Sequence, residues 1–304
     1  MSNVLFKRAF AIGIAIALAA ALLAAAPMRA RAQSPVAWQL GDFAGQPGQR
    51  LGLAVGALVD GHACPMRIDT GFDGAVQWSD AGRSGKAGKP GRRLVDVTVE
   101  FGGARVTIPT APDKARQLAH CDATSLVGTL GNAFFGNGTL SIDLKASRVR
   151  FAPGGLLAAR LDAQPMVYAK WTAQGGYPLV EIRKGGALRG YALLDTGNAA
   201  VTFAPATRAQ WDALASGPTP GAADPGHGFV QAVRGRSLTC LAANAAAPLQ
   251  AGTWTLTSPQ LTWCTPPDAA PPLKLEGTLG LGGFRDAIVT LDYVSGRWLV
   301  EKAR

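Results

Sequence analysis

The sequence predicts a mainly β fold in which one structural unit occurs twice. Short stretches alternate apolar and polar residues between glycine-containing turns, as at Val95–Phe101. Helix signals are few, and the clearest lie at 112–120 and 205–214. Two long segments of the first half also recur, in the same order, in the second half.

Composition excludes several classes of protein. The 304 residues are 48% apolar and only 16% charged, whereas a disordered chain has few apolar residues and many charges. The 38 glycines show no three-residue period, which excludes a collagen-like chain. The chain is long enough for one large or two small domains, each with its own core.

The first 32 residues have the features of a secretory signal peptide. Lys7 and Arg8 precede an uncharged apolar run at 9–26, and Ala30–Ala32 has the small–x–small pattern of a cleavage site. We therefore expect cleavage before Gln33 and a periplasmic or secreted protein. The alternative is a retained membrane anchor, since an 18-residue run approaches the length that spans a bilayer.

The basic residues form one local cluster, although the net charge is +10. Its members lie in a glycine-rich stretch and are Arg83, Lys86, Lys89, Arg92 and Arg93. Because no aromatic residues alternate with them, we expect a solvated loop and no nucleic-acid partner. The alternative is weak attraction to an anionic polymer or membrane surface. After signal cleavage we expect no stable membrane association.

Four cysteines would meet an oxidising compartment after export: Cys64, Cys121, Cys240 and Cys264. They allow three pairings, among which the sequence does not choose. We favour Cys64–Cys121 and Cys240–Cys264, because each bond then closes within one half of the chain. No Cys-x-x-Cys pair or histidine–cysteine cluster indicates a metal, and we expect no cofactor.

The internal repeat is the most informative feature. Segments 51–71 and 177–197 read LGLAVGALVDGHACPMRIDTG and YPLVEIRKGGALRGYALLDTG. Both contain a strand, a turn and a second strand that runs into Asp-Thr-Gly. Segments 128–151 and 277–300 then match at a constant offset, and both begin with Gly-Thr-Leu-Gly. One Asp-Thr-Gly is a weak motif, but two in matched contexts are not random.

The doubled motif resembles the aspartic proteases, either the bilobed pepsin-like kind or a tandem of retropepsin-like units. The resemblance implies a two-lobed, acid-protease-like β-barrel architecture with an internal pseudo-two-fold repeat. The N-terminal lobe would then be 33–160, a linker 161–176 and the C-terminal lobe 177–304. It also implies that an apolar-apolar-Gly segment crosses under each Asp-Thr-Gly loop. Residues 126–128 fit that pattern, whereas 275–277 have Glu in the middle.

The resemblance implies that Asp69 and Asp195 are the catalytic residues. Two carboxyl groups held close together cannot both ionise easily, so they share a proton and titrate as a pair. One can then take a proton from water while the other protonates the carbonyl oxygen of a peptide bond. Asp73 would be a third carboxylate nearby.

Four neighbouring residues are expected to support this pair. Gly71 and Gly197 would let the backbone approach the carboxylates closely and donate N–H groups to them. Thr70 and Thr196 would brace the two loops against each other by hydrogen bonds.

Two functions from different classes follow. The first is an exported, monomeric aspartic endopeptidase that acts on peptides or proteins. The alternative is a catalytically weak or inactive peptide-binding protein with the same bilobed fold, and a structural envelope protein is a weaker third. The intact Asp-Thr-Gly pair favours the enzyme, because a binder is expected to have lost one of the two aspartates.

The signal-peptide hypothesis predicts the mass of the exported protein. That protein is expected to begin near Gln33 and to contain no free thiol. Intact-mass measurement with and without reduction checks both expectations. Thiol labelling of two or more cysteines without reduction would contradict the second.

Overall fold

A computed structural model describes most of the chain after the predicted signal segment. The described residues are 36–42, 50–79, 93–122, 125–170, 172–216, 228–233, 236–264 and 274–304. They belong to one compact unit, Gln33–Arg304. The predicted signal peptide at 1–32 lies outside the described residues, and so does the basic cluster except Arg93.

The described residues form mainly β-strands, as the sequence predicts. The described strands of the first half of the chain are β1 Val36–Asp42, β2 Arg50–Val59, β3 His62–Ile68, β4 Val76–Trp78, β5 Val95–Phe101, β6 Ala104–Thr110, β7 Gly128–Leu130, β8 Gly138–Asp143 and β9 Arg148–Pro153. A second group follows: β10 Gln164–Lys170, β11 Gly176–Lys184, β12 Ala187–Leu194, β13 Phe203–Pro205, β14 Gly228–Val233, β15 Arg236–Asn244, β16 Leu249–Ala251, β17 Trp254–Leu256, β18 Gln260–Cys264, β19 Gly277–Leu279, β20 Ala287–Asp292 and β21 Arg297–Lys302.

The helices within the described residues are short: α1 Pro112–Leu118, α2 Asn132–Phe135, α3 Arg208–Leu214 and a 3₁₀ turn at Leu281–Gly283. The helix predicted at 205–214 begins at Arg208, because Thr207 caps it. The Thr207 hydroxyl accepts a hydrogen bond from the Gln210 N–H, and the Gln210 side chain accepts one from the Thr207 N–H.

Strand pairing repeats between the two halves of the chain. The antiparallel hairpin β2–β3 carries the first Asp-Thr-Gly, and the hairpin β11–β12 carries the second. Strand β7 then pairs in parallel with β3, as β19 does with β12. All these strands link through shared pairings into a nearly closed, barrel-like sheet.

Six strands from both halves pair side by side in the order β1, β9, β8, β20, β21, β10. At the centre of this row, Ser141 of β8 lies opposite Thr290 of β20, and the Thr290 hydroxyl donates to the Ser141 hydroxyl at 3.1 Å. These two residues are equivalent in the repeat. Both halves of the repeat therefore contribute the same strand position to this antiparallel pair. Strand β10 falls within the segment that the sequence analysis assigned to a linker, 161–176.

A continuous hydrophobic core runs through both halves. In the first half Phe135 packs edge-on against Phe101 and also contacts Phe151. In the second half Phe203 and Trp211 are fully buried. The alternating apolar residues of the strands supply the remainder, which explains why a period of two in the sequence predicts this fold.

The extra residues of the second half differ from expectation. The repeat spacing places 23 more residues between Asp-Thr-Gly and Gly-Thr-Leu-Gly in the second copy, and this spacing predicts extra loops within 215–265. Within the described part of that range, β14–β18 occupy most of the chain instead. Strand β15 pairs with both β14 and β18, so these residues extend the sheet rather than leave it. The sequence also predicts loops at 81–91 and 217–228, and these lie outside the described residues except for Gly228, which begins β14.

Both favoured disulfides are present in the structure. Cys64 bonds to Cys121 and Cys240 bonds to Cys264, so none of the four cysteines, all of which are described, is free. Cys240 and Cys264 are directly opposite each other on β15 and β18. Two disulfides fit an oxidising periplasmic or extracellular location. Separately, the described residues contain no helix with the length and apolarity needed to cross a membrane.

We predict that the two disulfides stabilise the fold unequally. Cys64–Cys121 joins residues 57 apart and Cys240–Cys264 joins residues 24 apart. Replacing both cysteines of either pair with Ala should lower the free energy of unfolding by about 2–4 kcal/mol, with the larger loss for the longer loop. Urea unfolding of the two double variants measures this. A smaller loss for the Cys64–Cys121 pair would contradict the prediction, since Cys64 is also fully buried.

Candidate active site

The two Asp-Thr-Gly loops begin at the ends of equivalent strands. Strand β3 ends at Ile68 and β12 ends at Leu194, and both side chains are fully buried. The Asp69 N–H donates to the Leu130 carbonyl at 3.0 Å, and the Asp195 N–H donates to the Leu279 carbonyl at 2.9 Å. Parallel pairing with β7 and β19 therefore fixes both loops in the same way.

Reciprocal hydrogen bonds join the two loops through Thr70 and Thr196. The Thr70 N–H donates to Thr196 Oγ1 at 3.1 Å, and the Thr196 N–H donates to Thr70 Oγ1 at 2.9 Å. The Thr70 hydroxyl donates to the Leu194 carbonyl, and the Thr196 hydroxyl donates to the Ile68 carbonyl at 3.2 Å. Both threonines are fully buried, so these bonds have little competition from water.

The glycines bring each carboxyl group against the opposite loop. The Gly71 N–H donates to Asp69 Oδ1 and the Gly197 N–H donates to Asp195 Oδ1, both at 2.9 Å. A Cβ atom at Gly71 would lie 2.8 Å from the Asp195 carboxyl, and one at Gly197 would collide with the Asp69 carboxyl. Only glycine permits this approach. Through these contacts the structure brings together all six predicted site residues: Asp69, Thr70, Gly71, Asp195, Thr196 and Gly197.

The pKa of Asp195 is raised to about 8. Burial in the surrounding protein is the main cause, although part of the residue remains accessible at the surface. The negative charge of Asp69, and a hydrogen bond between the two carboxyl groups, raise the pKa further. The positive charge of Arg67 and the Gly197 N–H oppose this rise. The carboxyl pair therefore keeps a proton to higher pH than an isolated aspartate would.

Sequence reasoning missed Arg67. Its Nη2 donates to Asp69 Oδ2 in an ion pair. A Cβ atom at Gly52 would lie 2.7 Å from Arg67 Cδ, so glycine at 52 leaves the space through which the arginine side chain passes. The signal was present in the repeat, since the equivalent residue of the second copy is Leu193.

Asn132, which the sequence analysis also did not predict, supports the first Asp-Thr-Gly loop by hydrogen bonds. The Asn132 side-chain amide donates to the carbonyls of Thr70 and Phe72 at 2.7 and 3.1 Å. Its Oδ1 accepts a hydrogen bond from the Tyr293 hydroxyl at 2.8 Å, and the Tyr293 ring packs edge-on against Tyr168. The equivalent of Asn132 in the second copy is Leu281, and this difference was the only sequence signal.

The segment that crosses under each loop lies further along the chain than the sequence analysis placed it. Gly131 and Gly280 make the close approach. A Cβ atom at Gly131 would collide with backbone oxygens of the turn after the first Asp-Thr-Gly, and one at Gly280 with those after the second. Residues 126–128 and 275–277 precede this contact, and Glu276 instead pairs with Arg189 at 3.5 Å. Glu276 is therefore not the middle residue of the crossing segment.

Asp73, the third carboxylate expected nearby, has a hydrogen-bond partner of its own. Asp73 Oδ2 accepts a hydrogen bond from the Thr172 hydroxyl at 2.8 Å, which ties the turn between β10 and β11 to the first loop. No cluster of three or more histidine, cysteine or acidic residues that could hold a metal occurs in the part of the chain that the structure describes.

This arrangement can perform general acid–base chemistry. The pKa of one carboxyl group is raised, and the other carboxyl group is close enough to contribute to that rise. A water molecule between them could lose a proton to one while a bound carbonyl oxygen gains a proton from the other. Two backbone N–H groups hold the carboxyls in place.

No protein-family model matches this chain, and a search of curated proteins finds no similar protein. The function must therefore be inferred from the geometry and chemistry of the site itself.

We predict that Tyr293 stabilises the first loop through Asn132. Tyr293→Phe removes only the hydroxyl group and keeps the ring. The buried Asn132 Oδ1 then lacks this donor, which should lower the free energy of unfolding by about 1–3 kcal/mol. Urea unfolding measures the loss. Tyr191→Phe, at an exposed tyrosine, is the matched control and should change stability little. Equal effects of the two substitutions would refute the supporting role.

Proposed function

We propose that the protein is an aspartic endopeptidase that hydrolyses peptide bonds with a water molecule activated by Asp69 and Asp195. One observation carries the proposal. Two Asp-Thr-Gly loops, one from each half, are joined by reciprocal threonine hydrogen bonds, so that the carboxyl groups interact and burial together with the charge of Asp69 raises the pKa of Asp195. A structural role for the aspartates requires neither the contact nor the raised pKa.

The reaction needs only the two carboxyl groups, water and a peptide. The ionised carboxyl takes a proton from water while the water oxygen bonds to the carbonyl carbon, and the neutral carboxyl gives its proton to the carbonyl oxygen. In the tetrahedral intermediate, the first carboxyl then passes its proton to the amide nitrogen. The second recovers a proton from a hydroxyl group as the carbon–nitrogen bond breaks. The products are an acid and an amine, and the pair returns to its starting state.

The strand pairing supports the two-lobed architecture that this proposal requires. Strands β1–β7 pair with one another, as do β10–β19, and the six-strand row joins the two groups. The lobes would be 33–160 and 177–304, and the intervening 161–176 would contribute β10 to the joining row. The carboxyl pair would then lie where the lobes meet, at the base of a cleft for an extended peptide.

The disulfides support an exported enzyme. Together with the sequence features of residues 1–32, they lead us to propose a periplasmic or secreted protein whose signal is removed. Its partner would be a peptide or protein substrate, and the protein would act as a monomer without a nucleic acid or a stable membrane contact.

One observation favours the alternative of a peptide-binding protein with little catalysis. Arg67 bonds to Asp69 Oδ2 and so engages an oxygen that could otherwise contact water. A carboxylate oxygen can accept more than one hydrogen bond, however, so Asp69 retains acceptor capacity for water. The activity test below separates the two functions.

We predict that Asp69→Asn and Asp195→Asn each abolish nearly all hydrolysis of an unfolded protein substrate. Neither loop alone supplies both acid and base, and general acid–base catalysis contributes about 10²–10⁴-fold in rate. Asp73→Asn is the matched control, because the amide oxygen can keep the bond from Thr172, and it should retain most activity.

The pH dependence gives a second readout of the same test. Since the neutral acid form is required and the pKa of Asp195 is raised to about 8, activity should fall as the pH rises through about 8. Near-normal turnover by Asp195→Asn would refute the pair. Peptide binding without hydrolysis by the unaltered protein would favour the binding function.

A further inference from the structure

The two halves of the carboxyl pair differ in the residue two positions before the aspartate. Arg67 precedes Asp69, whereas Leu193 precedes Asp195. Residues two apart on a strand point to the same face, so an arginine accompanies only one of the two carboxyls. The repeat therefore contains a charge asymmetry next to a nearly symmetric site.

Arg67 lies close enough to act on Asp69 directly. Its Nη2 donates to Asp69 Oδ2, and only 18% and 12% of the two side chains are exposed. The pair is therefore screened less by water than a surface ion pair. Glycine at 52 provides the passage for the arginine side chain, so the neighbouring strand accommodates it.

The described strand positions directly beside Arg67 carry no charge. On the strands beside β3, Ala54 and Thr129 are the register partners of Arg67, and both are uncharged. Across the loop contact the titratable group is Asp195. Asp73, further along the same loop, is bonded to Thr172. Among the described residues, Arg67 is thus the cation that acts on the pair.

We propose that Arg67 is a positioning residue that fixes where the shared proton lies, keeping Asp69 ionised as the base and Asp195 neutral as the acid. This inference rests on the proposed function. In a symmetric pair the proton could lie on either carboxyl with equal free energy. The backbone donors do not distinguish the two, because Gly71 and Gly197 donate at the same distance of 2.9 Å. The guanidinium does, since a cation in contact with Asp69 favours its charged form.

The assignment gives each carboxyl a defined role. Asp69 takes the proton from water, and Asp195 gives its proton to the carbonyl oxygen. After the addition the proton is on Asp69, which passes it to the leaving nitrogen, while Asp195 recovers a proton from the intermediate. Arg67 itself transfers no proton. It determines the direction in which the proton moves.

The test compares substitutions of Arg67 that remove or keep its charge. Arg67→Leu copies the second half of the repeat, Arg67→Gln keeps polarity without charge, and Arg67→Lys keeps the charge. Removing the cation destabilises the ionised pair, so the acidic limb of the pH–rate profile should move up by about 1–3 pH units with Leu or Gln. With Arg67→Lys the acidic limb of the pH–rate profile should lie close to its position in the unaltered protein.

The matched control is Arg183→Leu. Arg183 also pairs with an acid two residues away on its strand, Glu181, at 2.7 Å. Its register partner Leu188 lies seven residues before Asp195, or roughly 23 Å along β12. This substitution removes the same charge at a distance and should leave the acidic limb within a few tenths of a pH unit.

A direct titration separates failure of this inference from failure of the proposed function. NMR of protein labelled with ¹³C at the aspartate carboxyls reports the protonation of Asp69 and Asp195, assigned with Asp69→Asn and Asp195→Asn. The inference requires Asp69 to ionise first, and to do so at higher pH in Arg67→Leu and Arg67→Gln, whether or not the protein hydrolyses peptides. It is overturned if Asp195 ionises first, or if both substitutions leave the titration as it is in Arg183→Leu.

Discussion

The hydrogen bonds between Thr70 and Thr196 set the separation of the two aspartates. Each threonine side chain accepts from the opposite loop's N–H and donates to a carbonyl at the end of the opposite strand. These groups are buried, so moving the loops apart would leave several of them unsatisfied at once. The short spacing excludes a side chain at Gly71 or Gly197. The three residues of each motif thus depend on one another: threonine holds the loops together, glycine permits the contact, and the aspartates meet as a result.

Support for this contact is unequal between the halves. Below the first loop, Asn132 bonds to two loop carbonyls and is itself held by Tyr293 from the end of β20. Below the second, the Leu281 N–H donates to the Asn198 carbonyl at 3.2 Å, and the side chain is apolar. The residue directly after β20 therefore reaches the first loop through a buried polar network, whereas the second relies on backbone bonds and packing.

Local patterns in the sequence were sufficient to predict the strands around the site. Alternating apolar residues and turn glycines predict hairpins because the residues that make the sequence pattern are also those that form the hairpin. The matched repeat identifies the two aspartates without knowledge of their contact. Both disulfides followed from the assumption that each closes within one half. The strands β14 and β15 were missed because a glycine- and proline-rich stretch precedes them, and such composition usually indicates a loop.

The supporting residues could not be predicted in the same way. The bond between Asn132 and Tyr293 joins residues 161 apart in sequence, and it exists only because β20 packs beside β8. Arg67 looked like an ordinary polar residue of a half-exposed strand, since its partner Asp69 follows the strand end. Arg67 and Asn132 each replace a leucine of the other copy, but most positions of the two copies differ, so this difference alone does not mark them as functional.

The meeting of Ser141 with Thr290 has a consequence for how such a site can evolve. A strand edge that pairs with its own equivalent is self-complementary, so each half carries the contact surface of a homodimer. In a dimer of identical subunits every substitution occurs twice, and an arginine beside one aspartate would have a twin beside the other. Two copies within one polypeptide are free of that constraint, because each can change alone. A dimer of identical subunits cannot place a single cation beside one member of its acid pair, whereas this chain does so with Arg67.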